Sequence, residues 1–281
     1  MKPLFVLAIL TVVCLSSPAT AQTLERVRDS GEFKIGYRED AAPFSYRDAL
    51  GEASGYAVDL CRQVAADLKA ALGLDSIRVT YVPVTAENRF AAVQEGRIDV
   101  LCGPTSVTLS RRELVDFSIF TFADGASVLY QAGGPKTFEE LAGKKVGVRD
   151  GTTTETALMN TLKGLSLAAE VVPVADHADG LAKLEAGDIS AYFADQAILI
   201  YLAAGSAAPE KLRLSDRHFT NEPYALALRR GDDDFRLLVD RTLSRLYRSG
   251  RIVQIFNNAF GAKATPSDPL KLLYAIHRLP E

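Results

Sequence analysis

Histidine and cysteine are scarce in this 281-residue chain, with three of each, and that scarcity removes several chemistries at once. His177, His218 and His277 are scattered, and no cysteine stands at zinc spacing from any of them, so no zinc centre is expected. There is no Gly-x-Ser-x-Gly elbow and no glycine-rich phosphate loop, which removes two common catalytic scaffolds. Charge of one sign is also lacking: 32 basic and 35 acidic residues give a net charge of −3. The two signs are interspersed, so no basic face for nucleic acid or anionic lipid emerges. Beyond the first residues, the notable apolar stretch is 191–204, which Asp195 interrupts and which is short for a membrane span. A small molecule is therefore the expected partner.

What is present begins with an export signal. Lys2 supplies the positive start, residues 4–15 form an apolar run, and Ala19-Thr20-Ala21 makes a small-x-small cleavage site. Residues 1–21 are read as a signal peptide, with the mature chain starting near Gln22 in the periplasm. A lipid-bearing Cys14 is the weaker reading, because Thr11-Val12-Val13 lacks the small residues that such a site uses. In an oxidising compartment Cys61 and Cys102 are candidates for one disulfide. Two buried thiols are the alternative, since free cysteine packs as a small hydrophobe.

Apolar spacing predicts a strand over 33–37, a stretch punctuated by Pro43, Gly51 and Gly55, and then a helix. In that helix Val58, Cys61, Val64, Ala65, Leu68, Ala71 and Leu72 recur at three- and four-residue intervals, with Gly73 at the cap. A strand over 77–84, a helix over 86–94 closed by Gly96, and a strand over 98–101 follow, an alternation that predicts a parallel α/β sheet. The plan then repeats as strand 145–148, a helix after Gly151, strand 170–174, helix 178–185 and strand 189–193. Val82-Pro83-Val84, a helix, Glu95-Gly96 and Ile98-Asp99 have a counterpart in Val172-Pro173-Val174, a helix, Glu185-Ala186-Gly187 and Ile189-Ser190.

Two similar α/β lobes place strand ends and helix starts face to face, and such crevices are where open sheets bind ligands. The β-prone segments 117–130 and 219–230 are the expected crossings. Residues 22–122 and 223–261 then form a discontinuous first lobe, and 123–222 the second. Helices over 234–256, with Gly250 between them, return to the first lobe. In the tail, 262–281, the spacing of Leu270, Leu273, Ile276 and Leu279 predicts packing on the protein's own surface.

Two segments carry anion-binding equipment. Gly103-Pro104-Thr105-Ser106-Val107-Thr108-Leu109-Ser110-Arg111 follows a strand end, so hydroxyls and a guanidinium lie at the sheet's carboxyl edge, where an arginine can grip a carboxylate through two parallel hydrogen bonds. A helix cap with a surface arginine is the bland alternative. Asp150-Gly151-Thr152-Thr153-Thr154-Glu155 turns from strand into helix and offers N–H groups and hydroxyls to an anion. It also fits an ordinary capping box between Thr152 and Glu155.

From Thr23 to about Gly261 the sequence resembles the polar amino-acid binding proteins of ABC importers, especially their glutamate/aspartate-binding branch. The resemblance rests on Gly36-Tyr37-Arg38-Glu39, Pro43-Phe44-Ser45-Tyr46, Gly55-Tyr56-Ala57-Val58-Asp59-Leu60, Asn88-Arg89 and Gly96-Arg97-Ile98-Asp99. It continues through Cys102-Gly103 to Arg111, Val115-Asp116-Phe117-Ser118, Gly151-Thr152-Thr153, Asp176-His177 and Ala194-Asp195.

The resemblance implies a type II periplasmic binding protein fold, two α/β lobes joined by two hinge strands. It also implies a monomer without cofactor that hands an amino acid to an ABC importer's membrane permease. Carried over position by position, Arg111 clamps the α-carboxylate with Thr152 and Thr153, while Ser106 and Asp195 receive the α-ammonium. For Asp195 the alternative is a helix N-cap. Arg38, Arg89 and His177 match the positions that hold a distal carboxylate; structural or solvated arginines and a capping or surface histidine are the alternatives. Ala41 and Ala86 stand where branches for basic ligands place stacking aromatics, which favours an acidic ligand. Ala86 and Pro104 also replace hydroxyl residues usual in the glutamate/aspartate branch, so an amide relative remains in contention. Two other classes compete: a cyclohexadienyl dehydratase acting on prephenate or arogenate on the same fold, and an amino-acid-sensing module.

Overall fold

A computed structural model describes residues 22–280; the expected signal peptide lies outside the described residues. Helix α1 (Thr23–Ser30) leads into β1 (Glu32–Arg38) and a small sheet of β2 (Asp40–Ala41), β3 (Ser45–Arg47) and β4 (Ala53–Ser54). Then come α2 (Tyr56–Ala71), β5 (Arg78–Val84), α3 (Arg89–Gln94), β6 (Val100–Cys102) and α4 (Leu109–Arg112). Strand β7 (Asp116–Asp124) leaves this lobe and β8 (Ala126–Gln131) enters the second. That lobe continues with β9 (Lys145–Arg149), α5 (Thr153–Gly164), β10 (Glu170–Val174), α6 (His177–Ala186), β11 (Ala191–Asp195), α7 (Gln196–Gly205) and β12 (Leu212–Leu214). Strand β13 (Glu222–Leu228) returns to the first sheet, and α8 (Asp233–Arg248), α9 (Arg251–Phe260) and α10 (Asp268–Ile276) complete the chain.

The repeat read from the sequence is a repeat of topology. One five-stranded sheet runs β5-β1-β6-β13-β7 and the other β10-β9-β11-β8-β12. In each, the first three strands are parallel and the last two antiparallel. Glycine marks the same place in both: a Cβ on Gly36 of β1 would lie 2.3 Å from Ile98 Cδ1, and one on Gly147 of β9 would lie 2.5 Å from Ile189 Cδ1. The paired isoleucines can pack flat on their sheets only because these strands carry no side chain there. The two crossings run side by side, with Ala126 N donating to Thr220 Oγ1 at 2.9 Å and Glu222 paired with Asp124.

Three departures have local causes. The helix expected from residue 86 starts at Arg89, because Thr85 and Asn88 hydrogen-bond to each other's backbone N–H and close a turn. The strand expected from Ile98 starts at Val100, where the Asp99 carboxylate, at 2.7 Å, takes the Lys34 N–H that a ladder carbonyl would otherwise accept. In the tail, α10 buries Leu270, Leu273 and Tyr274, whereas Ile276 and Leu279 are exposed. Ile276 sits two residues past Tyr274, so the helical period turns it to solvent. Tyr274 was not part of the apolar spacing, yet its hydroxyl meets that of Tyr56 at 2.8 Å and its ring stacks on Tyr247.

Helix α2 packs its apolar face into the core of the first lobe with Phe33, Ile35, Phe235 and Leu243. Within that core, Cys61 on α2 and Cys102 at the end of β6 form a disulfide that closes 41 residues. Converting both to alanine is expected to cost about 2–4 kcal/mol, mostly through the freedom regained by the unfolded chain. Urea unfolding would measure it; an unchanged midpoint would mean the bond contributes nothing to stability.

Candidate functional site

Strand ends and helix starts of both lobes converge on one cavity. Its lining contains all eight residues singled out in the sequence, namely Arg38, Arg89, Ser106, Arg111, Thr152, Thr153, His177 and Asp195, together with Pro104, Thr154 and Ile198. Arg38 ends β1, Arg89 opens α3 and Arg111 lies in α4; opposite them Thr152 caps α5, His177 opens α6 and Asp195 ends β11. The lobes touch here, with Ser106 Oγ and Thr153 Oγ1 3.2 Å apart. The free volume left at the centre is about 20 Å³, on the scale of one water. A ligand of amino-acid size can enter only as the lobes part.

The first lobe contributes cations. Arg89 is 2% exposed, and among the described residues no carboxylate pairs with it; its Nε has no partner. Burial first, then the like charges of Arg38 and Arg111, push its pKa well below the ordinary arginine value. Its guanidinium rests on the Phe90 ring at 5.0 Å, and that of Arg111 lies 5.2 Å from the same ring, a cation–π platform that leaves their N–H edges free. Arg111 donates one bond to the Ser106 carbonyl, at 2.9 Å. Arg38 differs: its Nε and Nη2 both donate to Asp40, at 2.6 and 2.7 Å.

The second lobe contributes helix starts. The Thr152 hydroxyl donates to the Arg149 carbonyl at 2.7 Å and accepts from Glu155 N at 3.1 Å, while Glu155 accepts from Gly151 N. Half of the capping box forms, with Thr152 Oγ1 capping Glu155 N, but Glu155 reaches back to Gly151 N and not to Thr152 N, so what Thr152 can offer an anion is its backbone N–H. Thr153 Oγ1 donates to Glu222 at 2.9 Å. His177 is buried behind the N-cap Asp176, with Nδ1 2.6 Å from the Tyr192 hydroxyl. It is neither a cap nor a surface residue. Burial and then the Arg38 charge hold its pKa at about 3, so the ring is neutral and one nitrogen faces the cavity as a hydrogen-bonding group.

Asp195 occupies the N-cap position of α7 without capping it. Asp124, reaching from β7, performs that task by accepting from Ala197 N at 3.2 Å. Asp195 is consequently left with the buried Tyr224 hydroxyl beside it and, among the described residues, no cation paired with it. Burial, then the charges of Asp124 and Glu222, raise the Asp195 pKa well above the ordinary carboxylate value.

Unpaired guanidinium on one side and unpaired carboxylate on the other make a receptor for a dipolar guest. The sequence profile of the bacterial extracellular solute-binding proteins, family 3, matches residues 33–262. The chain belongs to that family. A glutamate/aspartate import solute-binding protein of Salmonella typhimurium is 30% identical over 268 residues, 92% of this chain and 89% of that protein. A glutamate/glutamine/aspartate/asparagine-binding protein of Rhodobacter capsulatus is 31% identical over 237 residues, 83% of this chain and 69% of that one. Among solved structures, an ancestral arginine-binding protein bound to glutamine matches with a TM-score of 0.73 at 25% identity, covering 82% of this chain and 98% of its own. The ancestral amino acid-binding protein AncCDT-1, a precursor of cyclohexadienyl dehydratase, has the same TM-score at 26% identity, covering 85% and 100%.

Several residues of this solute-binding protein's cleft were missed in the sequence. Asp40, Phe90, Asp124, Arg149, Glu222 and Tyr224 all touch the groups above. Asp40 and Arg149 had a readable signal, a charge at or just past the end of an apolar strand. Asp124 and Glu222 sit in the crossings, where β-propensity alone was read.

Proposed function

We propose that this solute-binding protein captures an amino acid bearing a second carboxylate or its amide, and delivers it from the periplasm to the permease of an ABC importer. The observation that carries this reading is Arg89, a buried guanidinium that no carboxylate pairs with directly among the described residues, close to a second one on Arg111. Burying one such charge is costly unless something pairs with it, and the facing Asp195 offers the complementary anion for an ammonium. Arg111 and the start of α5 take the α-carboxylate, Asp195 and Ser106 the α-ammonium, and Arg89 with His177 the side chain. Residues of both lobes touch the ligand, so it stabilises the closed form that the permease meets. The names of the Salmonella and Rhodobacter relatives support this ligand class.

Calorimetric titration with aspartate, glutamate, asparagine, glutamine, arginine and lysine tests the proposal. Saturable binding is expected within the first four, with a thermal stabilisation of about 2.7 kcal/mol at a hundredfold excess over Kd. Prephenate is expected to be left unchanged in absorbance. Failure of all six to bind, or turnover of prephenate, would remove this function.

A further inference from the structure

Asp40 lies behind the cavity-lining Arg38, and its carboxylate is already engaged by arginines of both lobes. Both its oxygens accept from Arg38, at 2.6 and 2.7 Å, a bidentate grip on the Nε/Nη2 edge of the guanidinium. Arg38 lines the ligand cavity with the N–H groups of Nη1 still unspent, but its charge is already balanced by Asp40. From the opposite lobe Arg149 Nε lies 3.7 Å from the same carboxylate, and its Nη1 pairs with Glu87 at 2.7 Å. Burial would raise the Asp40 pKa, but the hydrogen bonds and charge of Arg38 outweigh it and hold the group at about 2. Asp40 is therefore an anion at any working pH, fixed against a guanidinium that lines the ligand cavity.

We propose that Asp40 is a specificity-determining residue, an internal carboxylate that balances the Arg38 charge and so leaves Arg89 and His177 as the main partners of the ligand's second carboxylate. The consequence is a preference for short or uncharged side chains over glutamate. A glutamate carboxylate approaching Arg38 meets an ion pair of no net charge whose own carboxylate repels it. An amide meets no such repulsion. This inference rests on the amino-acid site proposed above.

The test is a comparison of glutamate and glutamine affinities in the wild type, Asp40→Ser and Asp40→Asn. Removing the internal carboxylate frees two guanidinium groups, and the glutamate-to-glutamine affinity ratio should rise roughly tenfold, the scale of one charged hydrogen-bond pair. Glu87→Gln is the control, since it breaks only the Arg149 contact between lobes and should shift both ligands in parallel. If Asp40 merely latches the lobes, both Asp40 variants would also shift the ligands in parallel, and the inference is overturned. An unchanged ratio overturns it equally. The asparagine variant keeps the side-chain volume, and its thermal midpoint shows that the protein is folded. If the wild type and every variant bind no amino acid, the proposed function has failed instead, a result distinct from an unaltered ratio.

Discussion

Replacing Arg89 with methionine is expected to move stability and affinity in opposite directions. The unliganded protein should gain about 1–2 kcal/mol, because a buried cation with no counter-charge is exchanged for an apolar side chain of similar reach. Affinity for aspartate and glutamate should fall by about 2–5 kcal/mol, the usual cost of deleting one partner of a desolvated charge pair. Both follow from Arg89 being almost wholly buried, without a carboxylate partner among the described residues, and wedged between Arg38 and Arg111. Arg111→Ala makes the contrast. It should abolish binding of every amino acid, since the α-carboxylate is common to all, whereas Arg89→Met should spare ligands whose side chains carry no carboxylate. Thermal unfolding with calorimetry on both variants separates the roles. A destabilised Arg89→Met that still discriminates glutamate from glutamine as the wild type does would make Arg89 a structural residue.

The parts of this site that could be read in the sequence are those whose signal is local. A hydroxyl or charge directly after an apolar strand and before a helix lies at the carboxyl edge of a sheet, and Arg111, Thr152, His177 and Asp195 all follow that rule. The repeat was legible for a similar reason, because each half keeps its own strand and helix periods. What stayed hidden depends on residues far apart in the chain. Glu222 reaches Thr153 across 69 positions, and Asp124 caps a helix 73 residues away. From spacing alone Asp195 is an equally good cap, and only the arrival of Asp124 releases it. Asp40 shows a different limit. An aspartate two residues after an arginine looks like one more solvated charge until the fold packs the pair behind the cleft.

Affinity should weaken as pH falls through the range in which the buried carboxyl cluster around Asp195 takes up a proton, and Asp195→Asn should weaken binding and flatten its pH dependence. Asp124, Asp195 and Glu222 face one another at the crossings, with Tyr224 beside them, His218 near Asp124, and the guanidinium groups of Arg89 and Arg111 across the cleft. Burial raises Asp195 well above the ordinary carboxylate range and Asp124 to about 6, so the ligand-free cluster retains a proton near neutrality that belongs to the pair. An incoming ammonium favours the ionised form, and binding must expel that proton. Affinity is then complete above the apparent pKa of the free cluster and drops toward tenfold per pH unit below it, one proton being linked. Stability of the ligand-free protein runs the other way. Carboxyls whose folded pKa is raised contribute fully below their unfolded pKa, near 4, and lose that contribution as pH rises through about 6. Calorimetry from pH 5 to 8, in buffers of different ionisation enthalpy, would count the protons released. In Asp195→Asn the count should fall and affinity drop by about 2–5 kcal/mol, while stability above pH 6 improves because the buried charge is gone. A wild-type affinity that stays flat over this range, with no protons exchanged, would show that the ammonium is held elsewhere.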